Sequence, residues 1–515
     1  MAYDRQDFPT MRGLNKDMPA LNVDSNHWNL MNNIRFKEGL ISPVLGHTQV
    51  YNVNTVDEPM IGISTITDSN PLWFYQNKIG GLYRCGSSTS VDSVGSLTWT
   101  EDSSVCSLNQ IIYFNNGTDV PKKIVSGNSA VVVANWPSGL KAKTLRPFKD
   151  YLFAMNLTES SVELPSSARW STASEPNLEP DSWSVSDPAK QSGQVNLADT
   201  SGQIVEGLQL RDQFLIYKTD AVYAASYVGG VFVFNFKKVF NNKGALGSNC
   251  VQPFEGKHFV VGVDDIYIHD GVQAQSVSDG RVKDSFYGQL TGESSSKVFV
   301  AVNSREKEMW VCYPSSELKT SCNKALVWSW SDNEWHERDI PNCHSIANGI
   351  VQAPRDLTWE AQVDATGPIT WDNAIGLYNG ASYDPSSSGM LMFSEDNKLY
   401  NYATSTSFDG IPFEWVMSKD GQDAGTPTSM KFVYSITPLA TGVDSSVKVR
   451  VGTRQVTGDG ITWRPTQTFI VGKAFRSYNK AQGRYMDYQF TGDSSTTSKL
   501  RMTGFTVEGN LGGDK

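Results

Sequence analysis

Apolar and polar residues alternate with a period of two over short runs along most of this chain, and helical spacing is nearly absent. The runs fall into groups. "HTQVYNV", "MIGIST", "PLWFYQN" and "GGLYRCG" lie between residues 45 and 85, and "SLTWTE", "VCSLNQIIYFNNG" and "PKKIVSG" between 96 and 125. A third group holds "AVVVANW", "LRPFKDYLFAMNL" and "ARWST", and a fourth "GQVNLAD", "GQIVEGLQL" and "FLIYKTDAVYAASYVGGVFVFNF". "HFVVGVDDIYIHDGVQAQSV" makes a fifth, "KVFVAVNSREKEMWVCYP" with "ALVWSWSDNEWHERD" a sixth, and a weaker seventh runs from "GPITWDN" to "MLMFSEDNKLYNY". Inside each group an apolar strand ends in a Gly, Asn, Asp or Ser turn and an aromatic strand follows. These residues form hairpin turns because they tolerate positive φ or bond their own backbone. Three or four strands repeated every ~40–50 residues predict an all-β chain with a β-propeller of five to seven irregular blades over residues 45–424.

The two ends read differently. Residues 1–44 are expected to be partly extended, with a short helix around "SNHWNLMNNIRF" capped at Ser25 or Asn26. From 425 to 515 the strands are longer and evenly alternating ("SMKFVYSITPLA", "SSVKVRVGTRQ", "RYMDYQFTG", "SKLRMTGFTVEG"), which predicts an antiparallel sandwich-like platform domain. The Gly/Asp/Ser-rich "SKDGQDAGTPTS" before it is expected to be a linker.

Charge and chemistry narrow the function classes. The chain carries 44 Lys and Arg against 54 Asp and Glu, a balance of −10, which argues against broad attraction to DNA phosphates or anionic membranes. Arg35, Lys37, Arg146 and Lys149 do not form a basic stripe with interleaved aromatics. The N-terminus lacks a signal-peptide pattern and no run approaches the ~20 apolar residues of a spanning helix, so no membrane anchor is expected. The six cysteines are scattered without a CxxC pair, which reads as free thiols in a reducing cytoplasm.

No phosphate loop, dinucleotide fingerprint, zinc helix or nucleophile elbow occurs, and neither an enzyme nor a cofactor is expected. His336 stands between Glu334 and Glu337, but the residue four further on is Ile340, so zinc-helix spacing fails. "TGDGITW" approaches a sialidase Asp box, yet its Asp459–Trp463 offset is one short and it occurs once; an Asp-Gly hairpin turn explains it. Asp264–Asp265 and the Asp181/Asp187 pair fall at expected hairpin turns, where Asp is favoured for conformational reasons. The 14 tryptophans sit in alternating strands and are expected between blades rather than on a stacking platform.

Three stretches carry a family resemblance. "GLNKDMPALNVDSNHWNLMNNIRFKEGLISPVLGH" is similar to the opening of tail proteins of short-tailed bacteriophages through Gly13, Asn15, Trp28, Asn33, Arg35, Phe36, Gly39 and Gly46. "ARWSTASEPNLEPDSW" resembles the same family's RWS…P…W segment through Arg169, Trp170, Ser171, Pro176 and Trp183, and the following stretch through Val228-Gly229-Gly230 resembles its central blade. "AQGRYMDYQFTGD" resembles the Gly-Arg-Tyr strand of its platform domain at Gly483, Arg484 and Tyr485.

The family is the tail nozzle, also called tail tubular protein B or packaged-DNA stabilisation protein. The resemblance implies a propeller with a platform domain, assembled as a homo-oligomeric ring of six copies in the virion tail. Its implied partners are the head-to-tail adaptor protein, tail fibre or spike proteins, and double-stranded DNA that passes without sequence-specific binding. The tip Val228-Gly229-Gly230 is a candidate gate or contact loop, with a plain hairpin turn as the simpler reading. The competing classes are a glycan-binding or glycan-cleaving propeller, such as a tailspike or sialidase-like enzyme, and a cellular propeller scaffold.

Overall fold

The alternating runs pair with their sequence neighbours, as tight hairpin turns require, into four-stranded antiparallel meanders. The computed structural model describes residues 4–512 apart from 52–56, 68–69, 86–90, 126–127, 188, 231, 316–319 and 352–387. Within the last span only the short strands Val363–Asp364 and Gly367–Pro368 are described. Most of "GPITWDN" therefore lies outside the described residues.

Blade 1 is Pro59–Thr67, Asn70–Asn77, Gly81–Cys85 and Val91–Ser96, and blade 2 is Ser104–Leu108, Ile111–Asn115, Lys122–Ile124 and Val131–Val132. Blade 3 is Leu140–Phe148, Tyr151–Glu159, Val162–Trp170 and Gly193–Asn196. Blade 4 is Ile204–Leu210, Gln213–Lys218, Ala221–Tyr227 and Phe234–Asn241, and blade 5 is Val251–Phe254, Lys257–Val261, Ile266–His269 and Ala274–Ser276.

The 17-residue strand Glu334–Ile350 serves two blades. Its first half pairs with Cys322–Ser329 and completes blade 6 with Phe299–Asn303 and Glu308–Tyr313. Its second half, from Cys343, pairs with Ser388–Ser394 and opens blade 7. Both ladders slip register beside Cys343, and Pro341 just before it has no N–H to give, so the strand can bend from one sheet to the next. Blade 7 continues through Leu399–Tyr402 and takes its outer strand, His47–Val50, from the start of the chain. The first strands touch in cyclic order and the last, Glu334–Ile350, returns to Pro59–Thr67. The described residues thus form a closed ring of seven blades, the upper end of the expected range.

Side chains fill the spaces between blades. Phe214, Tyr223 and Phe234 of blade 4 meet Phe148, Phe153 and Trp170 of blade 3, while Tyr217 and Val222 on the other face meet Val260 and Tyr267 of blade 5. The aromatics of "FLIYKTDAVYAASYVGGVFVFNF" are therefore inter-blade core.

The platform is a two-sheet sandwich. One sheet holds Ile34–Lys37, Leu40–Pro43, Arg501–Leu511, Lys431–Thr441 and Ala481–Gly483, with Asp4–Phe8 alongside Arg501–Leu511. The other runs Leu30–Asn32, Glu414–Gln422, Tyr485–Asp493 and Ser446–Arg454, followed by Thr462–Trp463 and Gln467–Ile470.

Two expectations change. The short helix around "SNHWNLMNNIRF" is absent: Leu30–Asn32 and Ile34–Lys37 are strands separated by Asn33 at φ 58°. Met31, Ile34 and Phe36 are buried in the apolar core and their strands find sheet partners, which outweighs any local helical turn. The residues expected to link propeller and platform are strand as far as Gln422, paired with Tyr485–Asp493, so the N-terminal segment and residues from Glu414 both belong to the sandwich sheets. Sandwich and ring also share one apolar core, which runs from Trp28, Met417 and Phe505 into Phe259, Trp328 and Trp335 of blades 5 and 6.

Candidate functional site

The strand Glu334–Ile350 and its neighbours bring a row of carboxylates to the edge of blade 6, and the N-terminal segment meets them with cations and amides. Lys16 Nζ lies 2.6 Å from Glu337. Arg35 reaches Glu306 at 2.9 Å and Glu308 at 3.7 Å, and Lys37 joins Glu306 at 2.6 Å. Asn33 clasps Asp339: its Nδ2 donates to the carboxylate at 2.6 Å while its Oδ1 accepts from the Asp339 N–H at 2.8 Å. Lys324 bonds the other oxygen of Asp339. Glu334 accepts from Arg281 at 2.9 Å and from the Gly13 N–H at 3.3 Å, with His27 Nε2 at 3.5 Å.

The electrostatics follow burial and partner number. Burial pushes the Glu308 carboxyl up, and Arg35, the Trp310 N–H at 3.0 Å and Arg338 only partly compensate. Burial acts the same way on Glu306, but Lys37 and Arg35 together outweigh it and hold the carboxyl below its ordinary value. At Glu334 burial is likewise overcome, here by His27 and Arg281.

The N-terminal family-motif residues converge on this joint. A Cβ on Gly13 would stand 2.6 Å from the Trp335 carbonyl oxygen, so only glycine lets the segment lie against the strand. Leu14 N–H donates to that carbonyl at 2.7 Å, and Asn15 and Trp28 pair through their backbones while Asn15 Nδ2 reaches Gly280 O at 3.1 Å. Trp28 and Phe36 are buried in the shared core. Gly39 turns the hairpin between Ile34–Lys37 and Leu40–Pro43, and Gly46 leads into the strand that closes blade 7. Chemically the joint is static: each carboxylate is held by a fixed donor.

The remaining motif residues lie elsewhere. Gly483, Arg484 and Tyr485 stand in the sandwich, where Arg484 N–H donates to Arg454 O at 3.1 Å. Arg169 and Trp170 end the third strand of blade 3, but Trp183 sits in the following loop and packs on Trp136 at 4.8 Å. Trp170 faces blade 4 instead, against Phe234 at 5.4 Å. Arg169 donates to Gln194 Oε1 at 2.7 Å and to Glu159 at 2.8 Å. Around this edge runs an open groove of about 950 Å³, lined among others by Glu159, Arg169, Trp170, Gln194 and Phe234. The tip residue Gly230 and the exposed Phe232 border the same groove, so the Val228-Gly229-Gly230 tip stands beside the outer strand of blade 3.

Towards the ring axis, the largely buried Arg146 of blade 3 bonds Glu206 of blade 4 at 2.8 Å, and Glu206 also accepts the Asn249 N–H that leads into blade 5 at 2.9 Å. Gln252 to Val300 O, Asn348 to Val302 O and Ser345 to Met60 O extend these ties around the inner strands.

The carboxylates weighed for acid–base work are spent locally: Asp265 accepts from Ser276 and Ser278, and Asp181 from Thr172 and Lys190. His336 is buried and its basicity is lowered by that burial and by Arg338 and Arg35. Among the described residues no group of three His, Cys, Asp or Glu could hold a metal, and all six cysteines are free and buried.

Sequence reasoning missed the acidic row, because its members span residues 306 to 339 and only pairing aligns them. It also missed a buried Tyr217–His258–His269 cluster between blades 4 and 5, whose one signal was the spacing of two histidines on neighbouring strands.

No family model matches this chain, and no curated protein does. Among solved structures it is similar to the N-terminal domain of Nup159, at 8% identity over 72% of this chain and 98% of that one, TM-score 0.38. It is similar to the Pan2 WD40 domain of Neurospora crassa at 6% identity over 70% of this chain and 94% of that one, TM-score 0.37. The AfRom2 CNH domain matches at 9% identity over 58% and 90%, TM-score 0.34. The strand pairing, not these scores, carries the fold.

Proposed function

We propose that this chain is a structural protein of a short-tailed bacteriophage tail, one of six copies forming the nozzle ring below portal and adaptor. In that role it extends the DNA channel, retains the packaged genome, opens for ejection and offers a docking surface for tail fibres or spikes. It is made in the cytoplasm of a bacterial host, ends in the virion and uses no cofactor.

The observation that carries this reading is the joint. The residues of the N-terminal resemblance, Gly13, Asn15, Trp28, Asn33, Arg35 and Phe36, are those that fasten the sandwich to blade 6. A ring of head-to-tail contacts needs stiff subunits whose domains hold one angle, and a shared core with paired buried charges supplies that stiffness. The inner strands of the propeller are tied to each other, so the DNA path belongs to the lumen between copies. A net charge of −10 favours a wall past which phosphates slide without sticking.

Negative-stain microscopy of the purified chain, alone and with the portal–adaptor complex of the same phage, tests the proposal. The expected result is a six-fold ring capping the adaptor; a stable monomer that never joins the complex overturns it.

A further inference from the structure

Cys343 stands where the strand Glu334–Ile350 passes from blade 6 to blade 7, and it has a ladder partner on each side: Cys322 on blade 6 and Ser394 on blade 7. The Cys322–Cys343 pair ends the blade 6 ladder, set apart from Lys324–Asp339 by the register slip. Directly opposed antiparallel residues hold their Cα atoms about 4.5–5.5 Å apart and send their side chains to one face. A disulfide needs Cα atoms about 4.4–6.8 Å apart, so this pair can be bridged without moving the backbone. Among the described residues no other two cysteines are ladder partners. Cys312 shares their core but stands opposite Phe299 and Ala325.

The pair is also reachable by a small molecule. Cys322 and Cys343 line a cavity of about 70 Å³, where Met60 of blade 1, Ser103 before blade 2 and Asn249 before blade 5 approach the start of blade 6. One water needs about 10–15 Å³ of such space. Hydrogen peroxide, little larger than water, therefore enters, and a peptide disulfide such as oxidised glutathione does not. In the reduced chain the Cys322 thiol donates to Lys297 O at 3.2 Å, so it turns about its Cα–Cβ bond to meet Cys343. Burial pushes both thiols up, with Cys343 adding to the effect on Cys322, so both stay protonated at neutral pH and react slowly.

We propose that Cys322 and Cys343 are an oxidation site, which a peroxide links into a disulfide that staples blade 6 to the bend where blade 7 begins. Peroxide oxidises one thiol to a sulfenic acid and leaves as water. The second sulfur then attacks the sulfenic sulfur, the S–S bond forms, and the sulfenic oxygen leaves as a second water with the remaining thiol proton. The two electrons lost by the sulfurs reduce the O–O bond. The staple closes a loop of about 20 residues and so removes freedom from the unfolded chain. Under the nozzle reading the occasion is the exit of the virion from the reducing cytoplasm; that timing alone rests on the nozzle reading, and the cross-link needs only the isolated chain.

The test treats the purified full chain with millimolar hydrogen peroxide, blocks free thiols with iodoacetamide before and during denaturation, and maps tryptic peptides by mass spectrometry with and without reduction. The expected product joins the peptides that carry Cys322 and Cys343, lighter by two hydrogens than their sum. The part of the Tm change that TCEP reverses is expected to be about 3 °C, the shift that a loop of this length gives in a chain of this size. Cys322→Ala is expected to show no such reversible part. It carries the same methionines, and the comparison lies within the variant, so a lower starting Tm does not disturb it. Thiols that both remain open to alkylation, or that go singly to sulfinic acid, overturn the proposal. So does a cross-link to Cys312 or Cys250, or a Cys322–Cys343 bond that leaves Tm unchanged.

Discussion

The hydroxyl of Tyr217 lies 2.6 Å from Nδ1 of His258, sealed between blades 4 and 5. The same hydroxyl is 2.7 Å from Nε2 of His269. Only one proton arrangement satisfies every atom. His258 Nε2 faces the Gln209 carbonyl oxygen at 2.9 Å, so it carries the proton and Nδ1 accepts from Tyr217. The Tyr217 oxygen then accepts from His269 Nε2–H, and His269 Nδ1 accepts from the Gly271 N–H at 3.2 Å. Both rings are neutral, and neither has a place for a second proton.

This arrangement predicts acid lability. Burial lowers His258 from 6.5 to about 4. Burial and then His258 lower His269 to about 3, with Asp270 pulling weakly the other way. The unfolded chain takes up these protons near 6.5 while the folded chain refuses them, so stability is complete above about 6.5 and declines as pH falls from there towards 4. The loss is on the order of 3 kcal/mol per histidine. Calorimetry between pH 8 and 4 should show Tm falling through this window, and His269→Gln, which keeps an N–H towards Tyr217, should flatten the slope. An equal slope in the variant would remove the cluster as the cause.

Tyr217→Phe keeps the ring and deletes the bridge. Two buried imidazole nitrogens then lose their partner, at about 1–3 kcal/mol each. The expected readout is a lower urea midpoint at pH 8 with an unchanged m value.

At the joint, Arg35→Met and Lys37→Met should separate by burial. Arg35 is the guanidinium that ion-pairs with the buried Glu308, and losing that pair costs about 3–5 kcal/mol, with the Trp310 N–H remaining as its hydrogen-bond donor. Lys37 is more exposed and Glu306 keeps Arg35, so its loss costs about 1 kcal/mol or less. Chemical denaturation of the two variants gives the comparison, and equal effects would mean that Glu308 does not depend on Arg35.

Gly39 and Gly46 should respond to alanine for different reasons. Gly39 has open space around it but φ +78°, so Gly39→Ala costs about 1 kcal/mol of backbone strain. Gly46 has ordinary φ, but a Cβ there would sit 1.9 Å from the Ser407 carbonyl oxygen, and the strand that closes blade 7 would have to move. Gly46→Ala is expected to lower Tm well beyond Gly39→Ala, and limited proteolysis should cut first near the His47–Val50 strand.

The local alternation in this chain determined most of the propeller, because a hairpin needs only a turn and two runs of matching period. "FLIYKTDAVYAAS" became the second and third strands of blade 4, with Phe214 opposite Ala225 and Ile216 opposite Tyr223. Ile34 and Phe36 keep that period in the N-terminal segment and pair locally with Pro43 and Ile41. Met31, however, is out of phase with them across Asn33, and the partners that place the segment in the sandwich, Met417 opposite Met31 and Met502 opposite Ile41, lie several hundred residues away. Nothing local distinguishes such a strand from a weak helix rich in asparagine.

What the sequence determined by itself was therefore the all-β class, the blade rhythm and the burial of the aromatics, since these depend on neighbours in the chain. Tertiary structure alone decided that the ring closes with His47–Val50, that one strand serves two blades at Cys343, and that Arg35 faces Glu308. Each of these joins residues far apart in the chain, and such contacts are selected by the shape and charge of a whole surface rather than by any run of residues.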